Sequence, residues 1–218
     1  MATDSTISKE LPDRSSADEL ANSLTHGSGL LLSLAGAAFI IPSTQASSLG
    51  VQLAVVAYVA SLVAVYGLST ASHAVQSMAE KHRLRAWDQG TIYLLIVGTY
   101  TPFVAVYLPP TQAVLLSIGL WLVAGFGFWS KVVAKHRINH SFSSWTYIAL
   151  GWFPAMTFIG RVPFDCVMWM AIGGISYTVG TVFLMLDTRV SFFHAVWHVM
   201  VIVASACHFY AILTYVIA

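Results

Sequence analysis

The stretch "FHAVWHVMVIVASACHFYAI", residues 193–212, combines a membrane-spanning length with three histidines. Its 20 residues would extend about 30 Å as an α-helix, which is the thickness of the hydrocarbon core of a bilayer. Because hydrocarbon solvates imidazole poorly, His194, His198 and His208 should face the interior of a helix bundle. The stretch therefore predicts an all-α integral membrane protein with polar groups in its interior.

The composition of the whole chain agrees with this prediction. Of the 218 residues, 57% are hydrophobic and only 9% are charged, which excludes a soluble globular domain of this size. The net charge is +1, so nucleic acid is not an expected partner. Membrane lipids are the expected partners. The two cysteines lie in separate apolar runs and suggest neither a disulfide framework nor a cysteine metal site.

Apolar runs of membrane-spanning length recur along the chain and predict a seven-transmembrane helix bundle. Residues 1–19 are polar and form the expected cytoplasmic N-terminal segment, and residues 20–218 form the seven-transmembrane domain. The spans are predicted at about 20–42, 49–78, 88–108, 112–131, 142–160, 165–186 and 192–217.

The basic residues predict an orientation for this bundle. With seven spans, nine of the 10 lysines and arginines fall on one side of the membrane and only Arg161 falls on the other. Basic residues accumulate on the cytoplasmic side, so the N-terminus should be cytoplasmic and the C-terminus outside. The nine are Lys9, Arg14, Lys81, Arg83, Arg85, Lys131, Lys135, Arg137 and Arg189.

Polar residues from distant parts of the sequence should meet at one depth near the cytoplasmic boundary. His194 and His198 occupy the first two turns of span seven, and His73 lies near the cytoplasmic end of span two. Asp88 opens span three on the same side. Span one opens there as well, with Glu19, Asn22 and His26 on one helix face.

Three imidazoles beside one carboxylate are typical of a catalytic zinc centre, in which three protein ligands leave the fourth position to water. His194 and His198 are spaced i, i+4 on one helix, and His73 lies at the right depth to be the third ligand. Asp88 could hold the water and take its proton. Ser69, one turn from His73, could orient a ligand or stabilise a developing oxyanion.

Four blocks of the sequence resemble the signature blocks of the bacterial hemolysin III family. They are "ELANSLTHGSG" (19–29), "STASH" (69–73), "DQGTIYLLIVGTYTPF" (88–103) and "FHAVWHVMVIVASACHFYAI" (193–212), and the resemblance covers about residues 19 to 212. That family is related to the progestin and adipoQ receptors and, with the alkaline ceramidases, belongs to a superfamily of seven-span, metal-dependent membrane hydrolases.

The resemblance implies a zinc ion on His73, His194 and His198, with Asp88 and Ser69 close to the metal-bound water. It also implies a bacterial cytoplasmic (inner) membrane location. One position departs from the family pattern, since the residue before the span-two histidine is usually tyrosine and is Ser72 in this chain.

Each of these residues also has a structural interpretation. The histidines could join helices by hydrogen bonds, Asp88 could be the N-cap of its helix, and Ser69 could bond to its own backbone. His208 would lie roughly 15 Å deeper than His198 and is expected to be a buried hydrogen-bonding residue. His26 is expected to support the ligands or the packing.

Three functions remain open at the level of sequence. The first is an intramembrane zinc-dependent hydrolase of a lipid amide or ester. The second is a non-enzymatic, receptor-like or membrane-homeostasis protein with structural zinc. The third, a pore, is disfavoured because the buried polar residues cluster at one depth and do not run through the membrane.

Overall fold

The computed structural model describes residues 15–133 and 140–217, and within these ranges the chain is all-helical, without a β-strand. Lys9, Arg14, Lys135 and Arg137, and most of the predicted N-terminal segment, lie outside the described residues. The helices are α1 (Ser16–Ser43), α2 (Leu49–Ala74), α3 (Met78–Tyr107), α4 (Pro110–Val132), α5 (His140–Trp152), α6 (Phe164–Leu186) and α7 (Phe193–Ile212). A 3₁₀ turn follows α5 at Pro154–Phe158, and a π-helical turn follows α7 at Leu213–Ile217.

Within the described residues, six helices are long and apolar enough to cross a membrane, namely α1, α2, α3, α4, α6, and α7 with its π-helical turn. The protein is therefore a multi-pass membrane protein. The predicted fifth span, 142–160, corresponds to α5 and the 3₁₀ turn, and α5 alone has only 13 residues. The helix breaks at Phe153 because Pro154 supplies no backbone N–H and clashes with the preceding turn.

Helix α3 begins ten residues before the predicted boundary of 88, at Met78. Its first turns carry charged side chains, so this part of the helix is not apolar and lies before the predicted membrane span. Asp88 consequently lies within the helix, and its interpretation as an N-cap is wrong, since the N-cap position belongs to Ser77. The hydropathy pattern located the edge of the apolar segment and not the end of the helix.

Consecutive helices α1 to α4 pack side by side, α6 packs along α7, and α7 also packs on α1. The core contains large buried side chains such as Tyr58 and Phe103, whereas many leucine, valine and phenylalanine side chains on the outside are exposed, as a lipid-facing surface requires. Helices α2 and α3 approach closely at Gly98, where a Cβ atom would lie 2.4 Å from Ser61 Oγ. Small residues at such crossings are typical of membrane bundles.

The N-terminus of α7 is held against α1 by a buried carboxylate. The backbone N–H of Phe192 donates to Asp18 Oδ1 at 2.6 Å, and Ser15 Oγ donates to the other oxygen of that carboxylate at 2.6 Å. Phe192 has a φ of 62°, in the left-handed region that costs a bulky residue conformational energy. The Asp18 bond compensates for this backbone conformation and places the first turn of α7, which carries His194, beside α1 and α2.

Candidate metal centre

The structure brings His73, His194 and His198 together. One nitrogen from each ring could bind a metal ion, and these three atoms all lie within 4.8 Å of one another. The ring centroids are 5.1 Å apart for His73 and His194, 5.2 Å for His73 and His198, and 4.6 Å for His194 and His198. His73 lies in the last turn of α2, and the other two lie one turn apart at the start of α7, so two helices supply the whole cluster.

Carboxylates fix the orientation of two of these rings. His73 Nδ1 lies 2.6 Å from Glu19 Oε2, and His194 Nδ1 lies 2.6 Å from Asp187 Oδ2. An ionised carboxylate only accepts hydrogen bonds, so in both rings Nδ1 carries the proton and donates it. The lone pair is then on Nε2, which is the nitrogen that could bind a cation.

The third ring is fixed by the backbone of α1. His198 Nδ1 lies 3.1 Å from the carbonyl oxygen of Asn22 and 3.1 Å from Thr25 Oγ1. The Thr25 hydroxyl donates its own proton to backbone carbonyls, so its oxygen can accept from the ring. All three imidazoles of the cluster therefore direct Nδ1 to an acceptor of the protein, which is the usual arrangement around metal-bound histidines.

Glu19 joins the cluster to the extended start of α3. Its second carboxylate oxygen lies 3.1 Å from Lys81 Nζ and 3.0 Å from a guanidinium nitrogen of Arg85. Lys81 and Arg85 are four residues apart and thus share one face of α3. This ion network, with Glu19 between His73 and the two basic side chains, connects α1, α2 and α3 at one end of the bundle.

Asp88 and Ser69 line the same cavity as the three histidines. Ser69 is completely buried, and its hydroxyl makes no hydrogen bond to its own helix, so the backbone-bonded interpretation is wrong for this residue. Ser72, also buried, does make such a bond, to the carbonyl oxygen of Ser69. Asp88 is half-buried. It follows Arg85 by three residues, so it lies one turn farther along α3 on the face that carries Lys81 and Arg85.

The cavity has a volume of about 260 Å³ and is predominantly apolar away from the histidines. It follows α3 from Arg85 to Tyr100 and α6 from Val167 to Leu184, so it extends along the helix axes for about 22–25 Å. The cavity thus joins a polar end at the histidine cluster to a long section lined mainly by apolar side chains.

Two further histidines line this cavity. The ring of His26 stacks on that of His198 at a centroid distance of 3.4 Å, and neither of its nitrogens makes a hydrogen bond. His208 lies farther along α7 and is 9% exposed. His26 thus stacks on the ring of a candidate ligand, whereas His208 is remote from the cluster.

Two acids that hold the rings were not identified from the sequence. The sequence predicts Glu19 at this end of the bundle without indicating its partner, and it predicts Asp187 in the connector between spans six and seven. The available signal was an acid within seven residues of a histidine across a turn, as for Asp187 and His194. For Glu19 no local signal exists, since its partner His73 lies 54 residues away.

Comparison with known proteins gives consistent matches over most of the chain. A protein-family model described as haemolysin-III related matches residues 15–209. The hemolysin-3 homolog of Bacillus subtilis (strain 168) is 32% identical over 207 residues, which are 91% of this chain and 94% of the relative. Hemolysin-3 of Bacillus cereus is 35% identical over 210 residues, which are 92% of each chain.

A more distant match is a mammalian protein. The monocyte to macrophage differentiation factor of Homo sapiens is 29% identical over 159 residues, which are 71% of this chain and 66% of the relative. All five residues of the candidate site, Ser69, His73, Asp88, His194 and His198, lie within the range that the family model matches.

Proposed function

This chain belongs to the haemolysin-III-related family, and from that premise we propose that it is an intramembrane zinc-dependent hydrolase of a lipid amide or ester. The observation that carries the proposal is the shared orientation of His73, His194 and His198. Each directs Nδ1 to a protein acceptor, and the three candidate ligand atoms lie within 4.8 Å of one another in a cavity that Asp88 also lines.

The donor set fits zinc. Three neutral imidazoles are common zinc ligands in catalytic sites, where a fourth position is left for substrate or water. Carboxylate and carbonyl acceptors on the far ring nitrogen raise the basicity of such ligands. His73, His194 and His198 would hold the ion, and zinc, when bound, would supply Lewis acidity to the site.

The remaining chemistry belongs to side chains of this protein. A carboxylate oxygen of Asp88 would accept a proton from the attacking water and deliver it to the departing amine or alcohol. The Ser69 hydroxyl, which is not used by its own helix, would donate a hydrogen bond to the oxygen that gains charge during attack. The apolar walls of the cavity would hold the acyl chain and exclude bulk water.

The direct test is release of fatty acid from a panel of N-acyl and O-acyl lipids by the purified protein. Wild-type protein should release fatty acid, and His194→Ala, Asp88→Asn or a chelator should abolish the release. His82→Ala is the matched control, since His82 is buried but bonds to the carbonyl oxygen of Met78, outside the cluster. Zinc-loaded wild-type protein that is inert across the whole panel would contradict the proposal.

A second candidate function is a receptor-like or membrane-homeostasis protein in which zinc is structural. The observation in its favour is that the histidines and the Glu19 network connect four helices, α1, α2, α3 and α7. The two functions make opposite predictions for Asp88→Asn. If zinc is structural, Asp88→Asn should retain both the zinc content and the cellular function. If the protein is a hydrolase, Asp88→Asn should lose the hydrolysis of lipid.

We also propose seven crossings with the N-terminus in the cytoplasm and the protein in the bacterial inner membrane. The end of α2 and the start of α7 lie side by side at His73 and His194, so both face the same side of the membrane. Helices α3 and α4 cross twice and return to that side, and α6 must end there because α7 begins there. This arrangement supports one more crossing by the chain between α4 and α6.

The contacts of α5 support this additional crossing. Tyr93 bonds to Thr146 at 2.8 Å, and Tyr100, two turns farther along α3, bonds to the carbonyl oxygen of Gly151. Helix α5 thus advances in the same direction as α3. Together α5 and its 3₁₀ turn would extend about 30 Å, which is enough for the hydrocarbon core.

A further inference from the structure

A second polar position lies deep in the cavity, at His208. This residue follows His198 by ten positions on α7, so it lies about 15 Å farther along the helix axis. It lines the same cavity as the metal centre and is 9% exposed. This imidazole is not part of the candidate metal centre, because His194 and His198 lie at the other end of α7 and His73 lies beside them on α2.

The fold makes room for the ring without giving it a hydrogen-bond partner. Its Nδ1 is buried and makes no hydrogen bond. Tyr177 stacks on the ring at a centroid distance of 5.9 Å, but its hydroxyl is bonded to Ser205. On another side, a Cβ atom at position 173 would lie 2.7 Å from His208 Nε2, so Gly173 leaves the space that the ring occupies.

An imidazole without a partner in an apolar cavity destabilises the protein relative to a phenylalanine of similar shape. Val167, Met170 and Phe158 line the same cavity and are apolar, so these side chains provide no hydrogen bond to a ligand. His208 is thus positioned to bond to a polar group carried on an otherwise apolar molecule.

We propose that His208 forms a subsite for a hydroxyl or keto group on the hydrocarbon chain of a lipid whose carbonyl end lies at the metal centre. The proposal rests on the proposed function in taking a lipid acyl group as the occupant. A separation of about 15 Å corresponds to about twelve bonds of an extended chain. A neutral group is expected, because the apolar surroundings would penalise a charged one.

The test is equilibrium binding of three product-like probes to the full-length purified protein: dodecanoate, 12-hydroxydodecanoate and 3-hydroxydodecanoate. The measured quantity is the ratio of the Kd for dodecanoate to the Kd for each hydroxylated probe. His208→Phe should lower this ratio for 12-hydroxydodecanoate by about five- to tenfold, the effect of one hydrogen bond. The ratio for 3-hydroxydodecanoate, whose hydroxyl stays near the metal centre, should not change.

Two further variants complete the experiment. Tyr210→Phe, an exposed position on α7, should behave as wild type. Gly173→Ala should displace the ring and lower the same ratio, which provides a second reading if His208→Phe does not fold. An unchanged ratio in His208→Phe or Gly173→Ala, or a wild-type protein that binds none of the probes, would overturn the subsite.

Binding is measured without turnover, so the two proposals can fail separately. A hydroxyl preference that depends on His208 in a protein inert toward all lipids would retain the subsite and reject the hydrolase. Hydrolysis without such a preference would retain the hydrolase and reject the subsite.

Discussion

At the scale of single residues, the candidate metal centre depends on the acceptors of the three Nδ1 protons. Asp187 accepts from His194, Glu19 accepts from His73, and the α1 backbone accepts from His198. These contacts fix both the tautomer and the direction of each ring. Removing an acceptor should therefore weaken metal binding even though no ligand is changed.

The first prediction concerns Asp187→Asn. The amide cannot orient His194 through an ionic hydrogen bond, so zinc affinity should fall by about 10- to 100-fold. Competition with a chelating dye measures this change. Asp165→Asn is the control, because Asp165 is an exposed acid at the opposite end of the same helix. Equal zinc affinity in Asp187→Asn and Asp165→Asn would show that the carboxylate does not support the ligand.

The second prediction compares two buried serines on α2. Ser69→Ala should lower kcat by about 100-fold or more while zinc content stays constant, because a hydrogen bond to the developing oxyanion is lost. Ser72→Ala should have little effect, since that hydroxyl bonds to its own backbone. Steady-state kinetics on a hydrolysed lipid gives both values. Similar kcat values for the two variants would remove Ser69 from the reaction.

The histidines could be predicted from the sequence because their positions follow from helix geometry. His194 and His198 share a face by their spacing of four, and a short distance from the membrane boundary puts His73 at the same depth. Glu19 could not be assigned to His73 in this way, since the pairing depends on which faces of α1 and α2 meet. Helix-to-helix contacts of this kind are set by packing and not by local sequence.

At the scale of elements, hydropathy predicted the apolar segments well and the helix ends poorly. The clearest case is α3, where the predominantly polar residues 80–85 predict a connector but belong to the helix that begins at Met78. The extension has a function in the site, because it brings Lys81 and Arg85 to Glu19. A polar helical turn outside the membrane leaves no hydropathy signal.

The third prediction tests the close packing of α3 and α4. A Cβ atom at Gly127 would lie 2.5 Å from the ring of Tyr93, so Gly127→Ala should destabilise the protein by about 1–3 kcal/mol. Gly119→Ala on the same helix meets nothing within 4 Å and should be neutral. Thermal unfolding in detergent compares the two variants. A Tm for Gly127→Ala equal to that of Gly119→Ala would contradict the packing at this crossing.

At the scale of the whole molecule, the proposed topology depends on whether the chain crosses the membrane between α4 and α6. The sequence predicted seven spans from apolar length, but α5 is short and is interrupted at Pro154, so six helices meet the length expected of a membrane span. The proposed fifth crossing is supported instead by the arrangement of the other helices, since His73 at the end of α2 lies beside His194 at the start of α7.

The fourth prediction uses this topology. Single cysteines can be labelled in the native background, because Cys166 and Cys207 are buried. With seven crossings, an impermeant maleimide added outside should label Ser47→Cys and Arg161→Cys, but should label Glu80→Cys and Arg189→Cys only after the membrane is opened. Labelling of Arg161→Cys and Glu80→Cys from the same side would contradict seven crossings.

The central claim is that His73, His194 and His198 bind one zinc ion. Elemental analysis combined with X-ray absorption spectroscopy of the purified protein tests it most directly, with His73→Ala beside the control His82→Ala. The account predicts about one zinc per chain with nitrogen ligands at about 2.0–2.1 Å, loss of zinc in His73→Ala and retention in His82→Ala. Wild-type protein without stoichiometric zinc, or full zinc content in His73→Ala, would contradict it.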